Sequence, residues 1–177
     1  NINPEITAPA NIVTTTNSGC TATGVVLGSP VTSDNCGSTT VKNNAPSAFP
    51  VGTTTVTWVV TDGSGNTASA TQTVTVSDDD APVAPSLSTI NAECSVTVTA
   101  PTAQDNCAGT VTGTTTDPLT YTLQGNYKIT WKFTDVNGNS STAEQNVVIK
   151  DQTNPTITAP AAKTVSADAG SCTASNV

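Results

Sequence analysis

Acidic and amide side chains recur in three settings along the chain, and each setting offers oxygen atoms to a hard cation. The settings are a turn after an alternating strand, an Asp-Asn-Cys loop and an acidic segment before a proline. The oxygen-bearing residues are Asp62, Asn66, Asp135, Asn137 and Asn139 in the turns, Asp34 and Asp105 in the loops, and Asp78, Asp79, Asp80 and Asp151 before the prolines. Calcium binds six to eight oxygen atoms at about 2.3–2.6 Å. The pattern therefore predicts calcium sites.

Turn geometry alone is the competing explanation, because Asp, Asn and Gly satisfy tight turns without any ligand. Calcium is favoured because the acids recur where one copy of the pattern joins the next, and because adjacent carboxylates at 78–80 repel one another without a cation. Asp62 and Asp135 directly precede their turns and are the strongest candidates. Glu5 and Glu93 have no counterparts in the other copies and are weaker ones.

Two further chemistries fit the acids poorly. Residues 135–139 resemble the start of an EF-hand loop, but no predicted helices flank them and no glutamate stands at the twelfth position. A glycosidase-like carboxylate pair could be drawn from Asp34 and Asp62, yet both lie in repeated turn contexts and nothing aromatic lines a sugar groove. The sequence therefore predicts a protein that is not an enzyme.

Five cysteines occur at Cys20, Cys36, Cys94, Cys107 and Cys172. In the frame of the repeat they fall as one pair per copy, so Cys20 is predicted to pair with Cys36 and Cys94 with Cys107, while the partner of Cys172 lies outside the segment. Zinc ligation or free thiols are the alternatives, but the chain has no histidine and no CxxC knuckle. Disulfides would stabilise small domains with few large apolar residues in an oxidising compartment.

A repeated β-hairpin must position all of these residues. In the stretch 43–82, Val56, Trp58 and Val60 alternate with polar residues ahead of a Gly-rich turn, and a second alternation ends at Val76. The same order recurs around Trp131. Self-similarity with a period of about 75 residues indicates tandem modules rather than one large domain.

The predicted fold is all-β, with tandem immunoglobulin-like antiparallel β-sandwich modules of six or seven short strands each. Module boundaries are predicted at 1–78 and 79–151, and residues 152–177 are predicted to supply the opening strands of an incomplete third module. One tryptophan per module, Trp58 and Trp131, is assigned to the sandwich core rather than to ligand stacking. Prolines such as Pro82 should stiffen the linkers between modules.

Composition excludes several kinds of partner. The net charge is −8 with only five Lys and Arg, so the chain lacks the basic surface that nucleic-acid phosphates require. No apolar run is long enough to cross a bilayer, so no membrane insertion is predicted in this segment. Aromatics make up 3% of the chain, and threonine, which favours extended backbone, is the commonest residue.

The residues of the first copy resemble the hyalin repeat (HYR) domain, an immunoglobulin-like module of extracellular and adhesive proteins. The resemblance rests on Phe49-Pro50-Val51-Gly52-Thr53-Thr54, Trp58, Thr61-Asp62, Gly65-Asn66, Val76 and Asp78, preceded by Asp34-Asn35-Cys36. Bacterial cell-surface adhesins are similar in carrying tandem arrays with a cysteine beside Asp-Asn. The second copy lacks the Phe-Pro-Val-Gly turn, which weakens the resemblance there. The resemblance implies adhesion or structure, with no catalytic residues.

The sequence therefore predicts a structural or adhesive extracellular protein, part of a rod, filament or surface adhesin stiffened by intramodule disulfides and junction calcium. Its predicted partners are adjacent modules or copies of itself, and surface glycans or other cells. One alternative is a filament subunit completed by strand addition from a neighbouring chain. Another is a non-catalytic accessory module of a secreted hydrolase, for which Tyr121 and Tyr127 would have to supply an aromatic platform. The sequon at Asn139-Ser140-Ser141 conflicts with cation binding there.

Overall fold

A computed structural model describes residues 2–167 and 169–170, and these contain fifteen β-strands. We call β1–β8 module 1 and β9–β15 module 2, since no sheet contains strands of both sets. The strands of module 1 are β1 Glu5–Thr7, β2 Ile12–Thr15, β3 Thr21–Thr23, β4 Val31–Ser33, β5 Thr40–Asn43, β6 Ala48–Pro50, β7 Gly52–Thr61 and β8 Thr67–Ser77. Those of module 2 are β9 Ile90–Ala92, β10 Val96–Thr97, β11 Thr102–Asp105, β12 Gly109–Thr112, β13 Thr120–Tyr121, β14 Gly125–Thr134 and β15 Ser140–Ile149.

The predicted hairpin is the longest pair of strands in each module. In module 1, β7 and β8 pair antiparallel with Trp58 opposite Ala70, and β14 and β15 repeat this pairing with Trp131 opposite Ala143. The turn between them needs a glycine, because Gly65 and its counterpart Gly138 have φ of 88° and 96°, which other residues rarely adopt. The all-β immunoglobulin-like fold is therefore confirmed, and the hairpin turn lies at one end of each module.

The arrangement around the hairpin differs from a purely antiparallel sandwich in one respect. β2 pairs parallel to β8 and β9 pairs parallel to β15, so an early strand of each module lies beside its last strand. The remaining short strands form the antiparallel pairs β1–β4, β3–β6, β10–β13 and β11–β12. Parallel pairing places the end of β2 next to the end of β8, and the loop after β2 therefore lies beside the linker to module 2.

Each module has its own hydrophobic core, and the tryptophans lie in it as predicted. Trp58 is 6% exposed and packs with Val56, Val74 and Phe49, while Trp131 is 1% exposed and packs in an equivalent cluster. Along β7, buried residues alternate with more exposed ones in the two-residue period of a strand. No helix of the described residues has the length and apolar character to cross a membrane.

A glutamine of the neighbouring strand satisfies the polar atom of each tryptophan. The Trp58 indole N–H donates to Oε1 of Gln72 at 3.1 Å, and the amide of Gln72, fully buried, donates to the carbonyls of Ala10 and Leu27. Trp131 and Gln145 repeat the pair at 3.0 Å. The sequence showed both glutamines recurring but gave them no role. Gln72 joins the hairpin to the facing loops, because a buried polar group must find partners. The half-buried Gln145 donates to the Ser88 carbonyl at 3.3 Å.

The predicted opening strands of a third module are not formed in residues 152–167 and 169–170. These residues are exposed and pair with no strand of the described chain. An extended segment without a neighbouring strand gains no hydrogen bonds that would stabilise it. One contact ties them to module 2, where the Thr153 hydroxyl donates to Glu93 at 2.7 Å. Cys172 lies outside the described residues.

Candidate metal centre between the modules

Three aspartates from distant parts of the chain meet at the junction of the modules. Asp78 directly follows β8, Asp105 ends β11, and Asp135 directly follows β14. One carboxylate oxygen from each lies within 4.8 Å of the other two. Asp78 is 6% and Asp135 8% exposed, so this is a partly desolvated group of three like charges. We call it the junction cluster.

Two oxygen atoms of the junction cluster have no hydrogen-bond donor. Oδ2 of Asp78 and Oδ2 of Asp105 are buried and unpaired among the described residues. Buried polar atoms in native proteins nearly always have a partner, and an unpaired buried carboxylate is costlier than a neutral group. A bound cation would satisfy both oxygens and offset the repulsion among the three carboxylates. The donor set therefore fits a hard divalent ion such as calcium.

Asp135 differs from its two neighbours because its oxygens already accept hydrogen bonds from its own turn. The backbone N–H groups of Asn137 and Asn139 donate to Oδ1 at 2.9 and 2.8 Å, and the Asn139 amide donates to Oδ2 at 2.9 Å. The same amide also donates to the carbonyl of Asp78 at 3.1 Å. Asp135 thus fixes the turn, and Asn139 holds that turn against the linker from module 1.

The pKa values of the two buried carboxylates shift in opposite directions. Burial raises the pKa of Asp78, and the charges of Asp105, Asp135 and Asp80 raise it further against a lowering hydrogen bond from the Asp80 N–H. Burial also opposes ionisation of Asp135, but its hydrogen bonds from the Asn139 side chain and the turn backbone outweigh this and lower its pKa. Asp78 is therefore the strained member of the cluster when no cation is present.

Asp78 should make stability fall as the pH rises in calcium-depleted buffer. The pKa of Asp78 is higher in the folded chain than in the unfolded chain. From about pH 4 up to the folded pKa, the Asp78 carboxyl is therefore protonated more often in the folded chain than in the unfolded chain. The lowered pKa values of Asp62 and Asp135 have the opposite effect, so the quantity to measure is the difference between the parent and Asp78→Asn in urea unfolding at several pH values. We expect the parent to lose stability relative to Asp78→Asn as the pH rises.

Asp79→Asn is the matched control, because Asp79 is an exposed neighbour outside the cluster. Its unfolding free energy should follow that of the parent across the pH range. Parallel curves for the parent and Asp78→Asn would contradict the strained assignment. Calcium should reduce or reverse the difference, because the cation competes with protons for the carboxylate.

The other predicted ligands are distributed over four places. Asp79 and Asp80 are exposed at the junction, where the Asn106 amide donates to Asp80 at 2.7 Å and so joins the linker to module 2. Asp34, Asp62 and Asn66 belong to the corresponding loops of module 1. Asp151 is exposed after β15 and accepts from the Thr153 N–H at 2.9 Å. Asn137 is exposed in the Asp135 turn.

The Asp62 turn has the same internal bonding as its counterpart. The N–H groups of Ser64 and Asn66 each donate to Oδ1 of Asp62 at 2.8 Å, and the Asn66 amide donates to Oδ2 at 2.6 Å. The Asn66 side-chain bond is the largest cause that lowers the pKa of Asp62. Turn geometry thus explains why some of the acidic residues recur, as the competing explanation holds. It does not explain the buried, unpaired oxygens of Asp78 and Asp105.

The cysteine pairing differs from the prediction. Cys20 is bonded to Cys107, which joins module 1 to module 2, and among the described residues Cys36 and Cys94 are exposed free thiols. The predicted pairs Cys20–Cys36 and Cys94–Cys107 are therefore wrong. The physical reason is that the loop after β2 lies at the junction end of module 1, where the Asn106 amide donates to the Gly19 carbonyl at 3.1 Å and brings Cys107 beside Cys20.

Sequence reasoning missed this joint although a signal was present. Asp105 was already predicted to lie at a junction, and Cys107 is two residues from it, with its N–H donating to Asp105 Oδ1 at 2.8 Å. A residue so close to a junction ligand must itself lie at the junction. Asn106, between them, was not proposed as a functional residue and contacts both Gly19 and Asp80.

Module 1 matches a known family of domains, and most of the chain aligns with larger proteins. Residues 2–76 match the family model of the HYR domain. The resemblance to the HYR domain is therefore confirmed over module 1. The chain is also 34% identical to hyalin of Strongylocentrotus purpuratus in an alignment of 175 positions that covers 89% of this chain and 15% of that protein. Hyalin of Lytechinus variegatus is 34% identical in an alignment of 172 positions that covers 87% of this chain and 32% of that protein.

The chain thus spans less than a third of the length of these relatives. Both are from sea urchins, so the bacterial part of the resemblance stays a prediction. Among solved structures, human protocadherin-24 EC1-2 aligns with 86% of this chain and all of that chain, at 17% identity and a TM-score of 0.46. Drosophila N-cadherin EC1-4 aligns with 85% of this chain and 50% of that chain, at 12% identity and a TM-score of 0.46. Likeness at this level adds nothing about the site.

Proposed function

We propose that this chain is a segment of an extracellular adhesive rod, in which each HYR module is joined to the next by a bound calcium ion and a disulfide. The module boundaries are those predicted from the repeat, 1–78, 79–151 and 152–177. The proposal rests mainly on the junction cluster, because its three carboxylates come from both modules. A cation held there would bind the two modules to each other rather than stabilise either alone.

The residues that would hold the ion are Asp78 from the end of module 1 and Asp105 and Asp135 from module 2. A positive charge would stabilise the buried, unpaired oxygens of Asp78 and Asp105. The Asp135 turn is already fixed by its own hydrogen bonds. The ion would supply positive charge and restrict the angle between modules. Calcium suits carboxylate oxygens in a flexible loop better than magnesium does, since magnesium demands near-ideal octahedral geometry.

The adhesive assignment is supported by the HYR match and by the hyalin relatives. The sequence offers no catalytic constellation, and the proposal assigns none. A carbohydrate platform is disfavoured because Tyr121 is 6% exposed and stacks against Tyr127 with ring centroids 4.5 Å apart. The Tyr127 hydroxyl donates to the Leu123 carbonyl at 2.9 Å, so the polar end of that ring is also engaged. These contacts disfavour the accessory-module alternative.

Calcium should raise the thermal unfolding midpoint of the full chain. A site filled at about 100 times its Kd adds about 2.7 kcal/mol, which for a chain of this size corresponds to a rise of roughly 5–10 °C. Calorimetry with calcium, with magnesium and with chelator measures this rise. Asp78→Asn and Asp105→Asn should abolish most of it, whereas Asp117→Asn, which changes an acid outside the cluster, should keep it.

Small-angle scattering of the same samples tests the mechanical part of the proposal. We expect calcium to narrow the distribution of interatomic distances, because the two modules can no longer tilt freely about the linker. An unchanged midpoint and an unchanged distribution on adding calcium would contradict the proposal. Loss of the calcium effect in Asp117→Asn, but not in Asp78→Asn, would place the ion elsewhere and also contradict it.

A further inference from the structure

The loop end of module 1 repeats the surface that module 2 presents at the joint. Asp34 and Cys36 correspond to Asp105 and Cys107, and the Cys36 N–H donates to Asp34 at 3.0 Å as the Cys107 N–H donates to Asp105 at 2.8 Å. The turn of Asp62 has the same bonding as that of Asp135: its N–H donates to the Asn66 carbonyl at 3.0 Å, and that of Asp135 to the Asn139 carbonyl at 3.0 Å. The two ends are therefore built alike.

The two ends also differ in what they contact. Cys107 is bonded to Cys20 of the preceding module, whereas Cys36 is an exposed thiol. Oδ1 of Asp34 is buried without a hydrogen-bond donor in the described part of the chain, as is Oδ2 of Asp105. Cys36 and Asp62 border one shallow depression together with Ile2 and Ser64. The thiol and the acidic turn thus share a face.

We propose that this face of module 1 receives the junction end of another HYR module, and that Cys36 forms a disulfide with the loop cysteine of that module. On that other module, the contacting surface would be the one that carries the counterparts of Cys20 and Asp78, which is the surface that module 1 presents to module 2. Cys94 is the counterpart of Cys20, because each lies just before the strand that pairs with β6 or β13, and it too is an exposed thiol. Each joint of the string then carries one disulfide. This inference rests on the proposed rod.

Formation of the bridge needs an oxidant, which we take to be a low-molecular-weight disulfide. The Cys36 thiolate attacks that disulfide and releases one thiol, giving a mixed disulfide. The partner cysteine then attacks the sulfur of Cys36 and releases the second thiol. Two protein thiols are oxidised to one disulfide, and one small disulfide is reduced to two thiols. The exposed position of Cys36 permits both steps.

A tandem chain tests the proposal. A copy of residues 1–78 is fused before Asn1 of the full chain, which gives Asp78 of the copy the same spacing to Pro4 that the native Asp78 has to Pro82. The copy carries Cys36→Ser, and Val26→Ile at an exposed site as a mass tag. The fusion is oxidised in a mixture of reduced and oxidised glutathione that contains calcium, and the remaining thiols are alkylated. It is then cleaved before Asp34, which separates Cys20 from Cys36, and the peptides are analysed by mass spectrometry without reduction.

We expect the tagged Cys20 peptide to be linked to the Cys36 peptide, and the untagged Cys20 peptide to Cys107. Alkylation of Cys36, nearly complete in the parent chain, should fall at least about tenfold. The proposal is overturned if Cys36 remains alkylated, links to the untagged Cys20, or joins two fusion chains. The native Cys20–Cys107 bridge reports that the fusion has folded. Loss of calcium binding with an unchanged disulfide map would overturn the proposed cation and leave this inference standing.

Discussion

Replacing Trp131 with alanine is expected to destabilise module 2 by about 3–5 kcal/mol. The side chain is 1% exposed and lies at the centre of the cluster formed by Ile129, Phe133 and Val147. Truncation leaves a cavity there. It also removes the indole N–H that donates a hydrogen bond to Oε1 of Gln145 at 3.0 Å. Since domains are stable by only about 5–15 kcal/mol, most of the margin of this module would be lost. Urea unfolding followed by circular dichroism measures the change.

Two variants separate the contributions to this loss. Leu123→Ala removes an apolar side chain of the same module that is 73% exposed, and should change the unfolding free energy by less than about 0.5 kcal/mol. Trp131→Phe keeps an aromatic ring but removes the N–H, so its cost should lie between those of the other two. A loss for Trp131→Ala no larger than that for Leu123→Ala would mean that the tryptophan is not part of the core.

Removing the intermodule disulfide is expected to have the second large effect. Cys20 and Cys107 are 87 residues apart in sequence, and the chain-entropy model gives about 4–5 kcal/mol for closing a loop of that length. The double variant Cys20→Ser/Cys107→Ser should therefore unfold at lower urea concentration. Its two modules should also unfold in separate transitions, because the covalent link that couples them is gone. Both properties can be read from equilibrium unfolding followed by circular dichroism.

The matched control is Cys36→Ser/Cys94→Ser, which removes the two exposed thiols and should leave unfolding nearly unchanged. Placing Cys20→Ser/Cys107→Ser in that background prevents the remaining thiols from forming new bridges. If the control lost as much stability as the test variant, and peptide mapping linked Cys20 to Cys36, the intermodule pairing would be incorrect. Chain entropy assigns only about 3 kcal/mol to a loop of roughly 15 residues, so the size of the loss also distinguishes the pairings.

The disulfide and the junction cluster act on the same contact between modules. Asp80 of the linker accepts a hydrogen bond from Asn106, the residue between Asp105 and Cys107. The loop 105–107 therefore supplies a carboxylate of the cluster, an amide and the sulfur of the bridge. A joint built from one loop can restrict the angle between modules only while that loop keeps its shape. This is the structural basis on which we expect calcium and the disulfide to stiffen the chain together.

The fold was predictable from sequence because its signals are local. The alternation through Val56, Trp58 and Val60 fixes which face of β7 is buried, and a Gly-containing turn fixes the hairpin, with Gly65 at a positive φ. The recurrence of these features around Trp131 also predicted the second core. The parallel placement of β2 against β8 carries no such local signal, because it depends on strands far apart in sequence.

The junction was only partly predictable. Sequence alone determined which residue types recur and that acids precede each linker proline, and so it gave a set of eleven oxygen ligands and a pair of cysteines per repeat. Tertiary structure decided that Asp78, Asp105 and Asp135 meet, and that Cys20 pairs with Cys107 rather than with Cys36. A repeat aligns equivalent positions, but it cannot show whether two of them face each other within one module or across the contact between neighbours, because that depends on the end of the sandwich at which each loop emerges.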